Sequence, residues 1–227
     1  MGLSIGITAD GLPSSLWVYQ DDLVVEGTDM PAYCEGAYHE PKPPLAPDGR
    51  LFDGRIQARA DSVVYRQRGD SVLTGNVRLA ESERRVHTDL AIVDRQAERV
   101  SIPDGATFFH PGIVIEAARG EMNLTDDRVV MEGTEFVLFE PEIRGRADRI
   151  ERVGNRLVFE GTSLTRCQPD RDVWVFRAKS LDMDEDAVFA IAHKAKVEVF
   201  GVPVVALPRF RFPSRDARVS GFLFPTI

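Results

Sequence analysis

Cysteine and histidine are scarce in this sequence, and each scarcity argues against a class of chemistry. The two cysteines, Cys34 and Cys167, lie far apart and fit no CxxC metal or redox spacing. They read as two buried thiols or as one disulfide. His39, His87, His110 and His193 show no HExxH or other ligand spacing, so no metal site is expected. There is no GxSxG, no P-loop and no GxGxxG opening a helix. The acidic run Asp182-Met-Asp-Glu-Asp186 has the composition of a calcium loop but neither its glycine nor its terminal glutamate, and reads as a solvated turn. No cofactor is implied and nothing supports an enzyme. An excess of positive charge is also lacking: 28 basic against 36 acidic residues give −8, which argues against nucleic acid as a partner. No apolar run approaches the ~20 residues of a spanning helix.

What is present is an apolar fraction of 43 %, enough for a core in a chain of 227 residues. Met1 to Ala9 has no basic start and too short an apolar run for a whole signal peptide. It is expected to be the tail of one, or a misassigned start. Glu40-Pro-Lys-Pro-Pro-Leu-Ala-Pro-Asp-Gly49 is a proline-rich break. Residues 1–50 thus read as an N-terminal tail and linker, carrying Cys34, ahead of the ordered part.

From Ile56 onward a repeat sets in. Glycines recur between apolar runs at Gly75, Gly105, Gly133 and Gly161, the last two inside Glu-Gly-Thr. Between them stand small or charged pairs, Ala60-Asp61, Thr88-Asp89, Arg119-Gly120, Ala147-Asp148 and Lys179-Ser180, read as strand starts. Polar breaks at Gln67 to Asp70, Thr125 to Arg128, Val153 to Arg156 and Asp182 to Asp186 separate runs rich in β-branched and aromatic residues. Helical periodicity is nowhere sustained for ten residues. The fold class is all-β, a series of repeated hairpins with a bulge or bend at each in-strand glycine. Phe136-Val-Leu-Phe139 is apolar on both faces, so either a second sheet covers it or one face lines a cavity for an apolar ligand.

The end of the chain changes character. Pro203, Pro208 and Pro213 punctuate an apolar stretch, which predicts an edge strand or an extended connector. Arg209, Arg211, Arg215 and Arg218 cluster there; guanidinium groups suit phosphate, though scattered charges on a solvated turn read as well. The residues Gly201-Val-Pro-Val, Phe212-Pro, Asp216-x-Arg218 and Ser220-Gly-Phe-Leu-Phe-Pro225 resemble the outer-membrane lipopolysaccharide-assembly family, LptD, at its junction between periplasmic domain and barrel. Thr162-Ser-Leu-Thr-Arg-Cys167 followed by Asp172-x-Trp174 is similar to a cysteine-and-tryptophan element of the same family. The hairpin repeat resembles the jellyroll of that pathway's bridge proteins.

The resemblance implies an open, twisted β-jellyroll over residues 51–200, in the periplasm, followed at 201–227 by a junction and the first strand of a truncated transmembrane β-barrel in the cell outer membrane. It implies that lipopolysaccharide acyl chains are accepted in a groove and passed to the barrel without chemistry. Groove contacts are expected from Ile113, Ile115, Met131, Phe136, Leu138, Phe159, Phe176 and Phe189, each of which also suits a plain packed core. Pro203, Pro208, Pro213 and Gly221 would keep the junction from zipping shut. Implied partners are the bridge jellyroll protein LptA, by edge-strand addition, and the lipoprotein LptE through the barrel. Cys34 and Cys167 match the two periplasmic cysteines that, in the family, bond to cysteines of the barrel. A soluble bridge component and a structural β-solenoid or adhesin remain as alternatives.

Overall fold

The computed structural model describes residues 11–19, 36–42, 57–65, 69–81, 83–140, 142–169, 171–184, 187 and 189–213. A six-residue helix α1 (Gly11–Leu16) leads into β1 (Trp17–Tyr19), which pairs antiparallel with β2 (Gly36–Tyr38). All other strands form one 13-stranded antiparallel sheet. In chain order they are β3 (Gln57–Arg59), β4 (Ser62–Val64), β5 (Ser71–Glu81), β6 (Arg84–Asp94), β7 (Arg99–Ile102), β8 (Ala106–His110), β9 (Ile113–Asn123), β10 (Arg128–Leu138), β11 (Ile143–Val153), β12 (Arg156–Thr165), β13 (Trp174–Asp184), β14 (Phe189–Val199) and β15 (Val202–Pro213). From β9 to β15 each strand pairs with the next, while β7 and β8 both lie between β6 and β9. β15 forms one edge; β3 and β4, both on β5, form the other. The all-β reading holds.

Side-chain alternation changes phase in the middle of the long strands, and this shapes the whole sheet. In β10 the buried positions are Val129 and Met131, then Thr134 and Phe136. In β11 they are Ala147 and then Ile150. Two residues instead of one separate the buried positions at the same level of both strands, while the pairing sums stay in step from Glu132↔Arg149 to Thr134↔Ala147. Both strands therefore turn a corner together, and the sheet bends along a line that crosses them.

Alternate strands put a left-handed residue on that line: Gly75 (φ 74°), Gly105 (89°), Gly133 (59°), Gly161 (59°) and Lys194 (49°). Glycine takes such a φ without steric penalty, which is why it recurs. A side chain at Gly161 would also run into the Asp148 carboxyl. The small or charged pairs Arg119-Gly120, Ala147-Asp148 and Lys179-Ser180 lie on the same line in the intervening strands, in mid-strand and not at strand starts. On this line Gly75 and Asn76 mark a true slip in pairing, between β5 and β6. At Pro103-Asp-Gly105 the corner is sharp enough to split one strand into β7 and β8.

The threonine of Glu-Gly-Thr has a matching task. Buried Thr134 donates its hydroxyl to the Ala147 carbonyl at 2.9 Å, and Thr162 donates to the Arg146 carbonyl at 3.1 Å. Thr88 does the same to the Gly105 carbonyl at 2.6 Å. Each supplies a donor where the ladder is disturbed by the bend.

The N-terminal stretch is more than a tail. Leu12 and Leu16 of α1, with Tyr38 of β2, are buried against Phe109, Val114 and Val137, with Trp17 and Phe139 packed alongside. This segment covers the outer face of β8, β9 and β10. It accounts for Phe136 to Phe139: Phe136 and Leu138 face the interior, while Val137 and Phe139 lie under the N-terminal segment, not against a second sheet or a ligand. Glu135 secures the attachment. It accepts the Leu12 amide hydrogen bond at 3.2 Å and pairs with Arg146 at 2.8 Å. Farther on, the Glu40 carboxylate accepts the Gly112 amide at 2.8 Å.

Replacing Thr134 by Val should lower the free energy of unfolding by about 1–3 kcal/mol, because a buried carbonyl loses its donor; urea denaturation measures it. Glu116 lies opposite Glu135, and burial together with that neighbouring carboxylate raises its pKa above 4.5. Its ionised form thus opposes folding above the raised value, and the penalty disappears once it is protonated in both states. Glu116→Gln should therefore raise Tm at pH 7, with a difference that vanishes below the unfolded value near 4.5; melting curves across that range check it.

Candidate functional site

Following the cross-strand register over the inner face reveals two apolar rows. The first runs Ala58, Leu79, Val86, Phe108, Ile115, Phe136, Gly145, Leu164, Phe176, Val197 and Val205, one residue per strand from β3 to β15. The second lies beyond the bend: Ile102, Gly120, Met131, Ile150, Phe159, Leu181, Ala192 and Phe210, from β7 to β15. Directly paired residues share a face, so each row is a continuous apolar stripe.

The bend brings the rows together. On β12, Leu164 of the first row and Phe159 of the second are five residues apart, about 16 Å along a strand. Phe136 shares its row with Leu164, yet its ring centroid lies 5.5 Å from that of Phe159. Only a folded sheet allows this contact. Phe176 of the first row likewise reaches Phe210 of the second, with centroids 6.4 Å apart. The site is therefore a seam between two half-sheets, an apolar track running nearly the full width of the molecule. Glycines set its closeness. A Cβ at Gly120 would stand 3.0 Å from the Phe108 ring across the seam. One at Gly145 would press on the Phe136 ring and lie 2.8 Å from Leu164 Cδ2.

Most of the residues expected to line a groove meet here. Ile115, Met131, Phe136 and Phe159 are buried in one cluster, with Ile113, Leu138 and Phe176 packed against it. Phe189 is misplaced by the sequence reading. On β14 the inward residues are Ala190 and Ala192, so Phe189 points to the other face, where the Arg211 guanidinium lies 4.3 Å above its ring. Sequence reading also missed Ile150, Leu181, Phe210 and Phe212. The register signal exists in the sequence, but the phase change at the bend hides it. The seam is filled by side chains. A depression of about 330 Å³ touches the seam at Ile102 and Gly120 but is lined mainly by polar residues, among them Arg119, Glu121, Arg128, Glu132 and Arg149, whose charges pair among themselves and with Arg99 and Glu151.

The prolines occupy an edge strand, and the sheet extends through Pro213, past the boundary expected at residue 200. β15 pairs with β14 from Val202 to Pro213, so on that side the prolines do not keep the strands apart. Pro203 stands beside a register shift, Pro208 falls between paired positions opposite the bend residue Lys194, and Pro213 pairs at the strand end. Gly221, Arg215 and Arg218, like the strand expected at 221–227, lie outside the described residues, as does Cys34. Cys167 sits in a well-held loop after β12. Arg144 donates to the Cys167 and Gln168 carbonyls, each at 3.0 Å, and pairs with Asp172 at 2.5 Å. Thr165 Oγ1 donates to the Trp174 carbonyl and accepts the Cys167 amide. Burial pushes the Tyr38 phenol up, with the Cys167, Glu142 and Asp172 charges adding to it and Arg144 opposing. The strand that follows Cys34 in sequence thus ends beside the Cys167 loop.

No protein-family model matches the chain. It is similar to curated proteins called LPS-assembly protein LptD. One from Saccharophagus degradans is 29 % identical over 195 residues, covering 86 % of this chain and 23 % of the relative. One from Chromohalobacter salexigens is 29 % identical over 231 residues, covering 100 % and 28 %. One from Idiomarina loihiensis is 28 % identical over 171 residues, covering 75 % and 22 %. The chain spans about a quarter of the length of the relatives it matches. Among solved structures it is similar to LptH of Pseudomonas aeruginosa, titled the LptA homologous periplasmic component of the lipopolysaccharide transport device. That match has 14 % identity, a TM-score of 0.27, and covers 72 % of this chain and 97 % of the other. At that score the likeness carries no argument, and the fold rests on the strand pairing.

Gly145→Ala should destabilise the protein by about 1–3 kcal/mol, through overpacking of the Phe136 and Leu164 side chains and not through backbone strain. Denaturant unfolding of the variant tests it, and a loss below ~0.5 kcal/mol would contradict the close packing described.

Proposed function

We infer that this chain is the periplasmic jellyroll portion of an outer-membrane lipopolysaccharide-assembly protein of the LptD type. On this reading it conducts lipopolysaccharide acyl chains along the seam, and no bond is made or broken. The observation that carries the reading is the continuity of the two apolar rows from strand to strand across the sheet, in a chain whose similarity to LptD proteins covers most of its length. Each methylene taken from water contributes ~0.8 kcal/mol, so an unbroken apolar track can move chains that water will not hold. Exchange between acyl chains and the side chains now filling the seam leaves the buried apolar area nearly unchanged, which favours passage over trapping.

The remaining parts follow from the same reading. The β3–β4 edge, with Val63 and Val64 exposed, suits strand addition by a bridge jellyroll such as LptA. Beyond β15 the chain would enter the barrel through Gly221 and the strand after it, the junction being residues 201–227. LptE would act through that barrel in the outer membrane, and Cys34 and Cys167 would bond to barrel cysteines in the oxidising periplasm.

A photo-crosslinking residue placed in turn at positions 115, 136, 159, 181 and 189 tests the reading against added lipopolysaccharide. Crosslinks are expected at the four inward positions and not at Phe189. Equal labelling at Phe189, or none at the inward four, would reduce the seam to a packed core.

A further inference from the structure

Exposure along the seam is uneven. Phe136 and Ile150 at its centre are almost wholly buried, while toward β15 the same stripe opens: Val205 is 47 % exposed and Leu207 39 %. Leu207 pairs with Ala195 and Val205 with Val197, so both belong to the inner face, and among the described residues this corner is left uncovered. Along the first row half-buried Phe176 stands between the buried centre and this corner, and half-buried Phe210 and Phe212 of β15 lie against it. Phe210 and Phe212 stack at 5.8 Å with an interplanar angle of 25°, and Phe176 meets each at 6.4 Å, edge-on to Phe212. β14 presents the small Ala190, Ala192 and Ala195 on this face, beside Val197, which leaves the rings their room. Two of the three belong to an edge strand that is paired on one side only.

We propose that Phe176, Phe210 and Phe212 form a gate at the β15 end of the seam, which acyl chains must part to leave the buried centre for the exposed corner. This rests on the acyl-conducting reading above and adds where passage is controlled. Ring contacts are favourable but easily exchanged for other apolar contacts, and an edge strand moves at lower cost than a central one. The gate therefore opens to an apolar chain and stays shut to water. Phe210 and Phe212 set the rate of passage.

Stopped-flow mixing of the full chain with fluorescently labelled lipopolysaccharide tests this. Phe210→Ala with Phe212→Ala should speed both uptake and release roughly tenfold, the rate factor of about one lost aromatic contact set. Binding by the unaltered chain with the same rates in the double variant would overturn the gate and leave the conducting reading intact. No binding by the folded, unaltered chain would overturn both. Should circular dichroism show the double variant unfolded, Phe210→Trp keeps the bulk and reports the same event. Emission beyond that of the unaltered chain that shifts with lipopolysaccharide supports the gate, and emission unmoved at saturation overturns it.

Discussion

The corner at mid-strand is the constraint on which the rest of the molecule depends. Gly133 and Gly161 adopt a left-handed φ that an ordinary side chain resists, and Thr134 and Thr162 restore a donor to the carbonyls beside the bend. Repeated across the sheet, this small local device folds a flat meander onto itself. Without it the two rows would be separate stripes on an open face, and Phe136 could not touch Phe159. The interior is thus created by backbone geometry first and filled by apolar side chains second.

A folded sheet with two edges left open among the described residues differs from a closed barrel or a two-sheet sandwich in what it can release. Its apolar interior reaches both borders, so a long apolar molecule need not unfold the domain to enter or leave. Stability is also distributed. The central strands are paired on both sides and carry the deeply buried Phe136, Val137 and Ile150. The β15 border carries half-buried rings above a floor of alanines. Rigidity at the centre and yielding contacts at the rim are compatible in one sheet because backbone pairing ties each strand only to those beside it. Exposed ion pairs hold the outer face: Arg128 and Arg149 keep the Glu151 carboxyl below its usual range, and Arg156 does so for Asp182. The charges remain outside and the track stays apolar.

The N-terminal segment shows how far a local reading reaches. Residues 11–19 and 36–38 carry no sustained periodicity, and a six-residue helix is too short to declare itself by pattern. Yet their apolar side chains cover Phe109, Val114 and Val137, and so explain the doubly apolar run at Phe136 to Phe139. Phe189 failed for a related reason. Which face a strand residue takes depends on parity, and parity on β14 changes at Lys194, a residue that carries no glycine signal.

The sequence by itself determined the class, the repeat and the positions of most corners, because turn residues, β-branched runs and glycines act locally. It also determined the family resemblance and most of the residues that meet in the interior. Tertiary structure alone decided that the pairs once read as strand starts lie on the bend, that the sheet continues through Pro213, and that the N-terminal stretch is packed. It alone decided which apolar residues face one another. Those outcomes depend on contacts between residues distant in sequence, and periodicity within one strand carries no record of what the neighbouring half-sheet will bring against it.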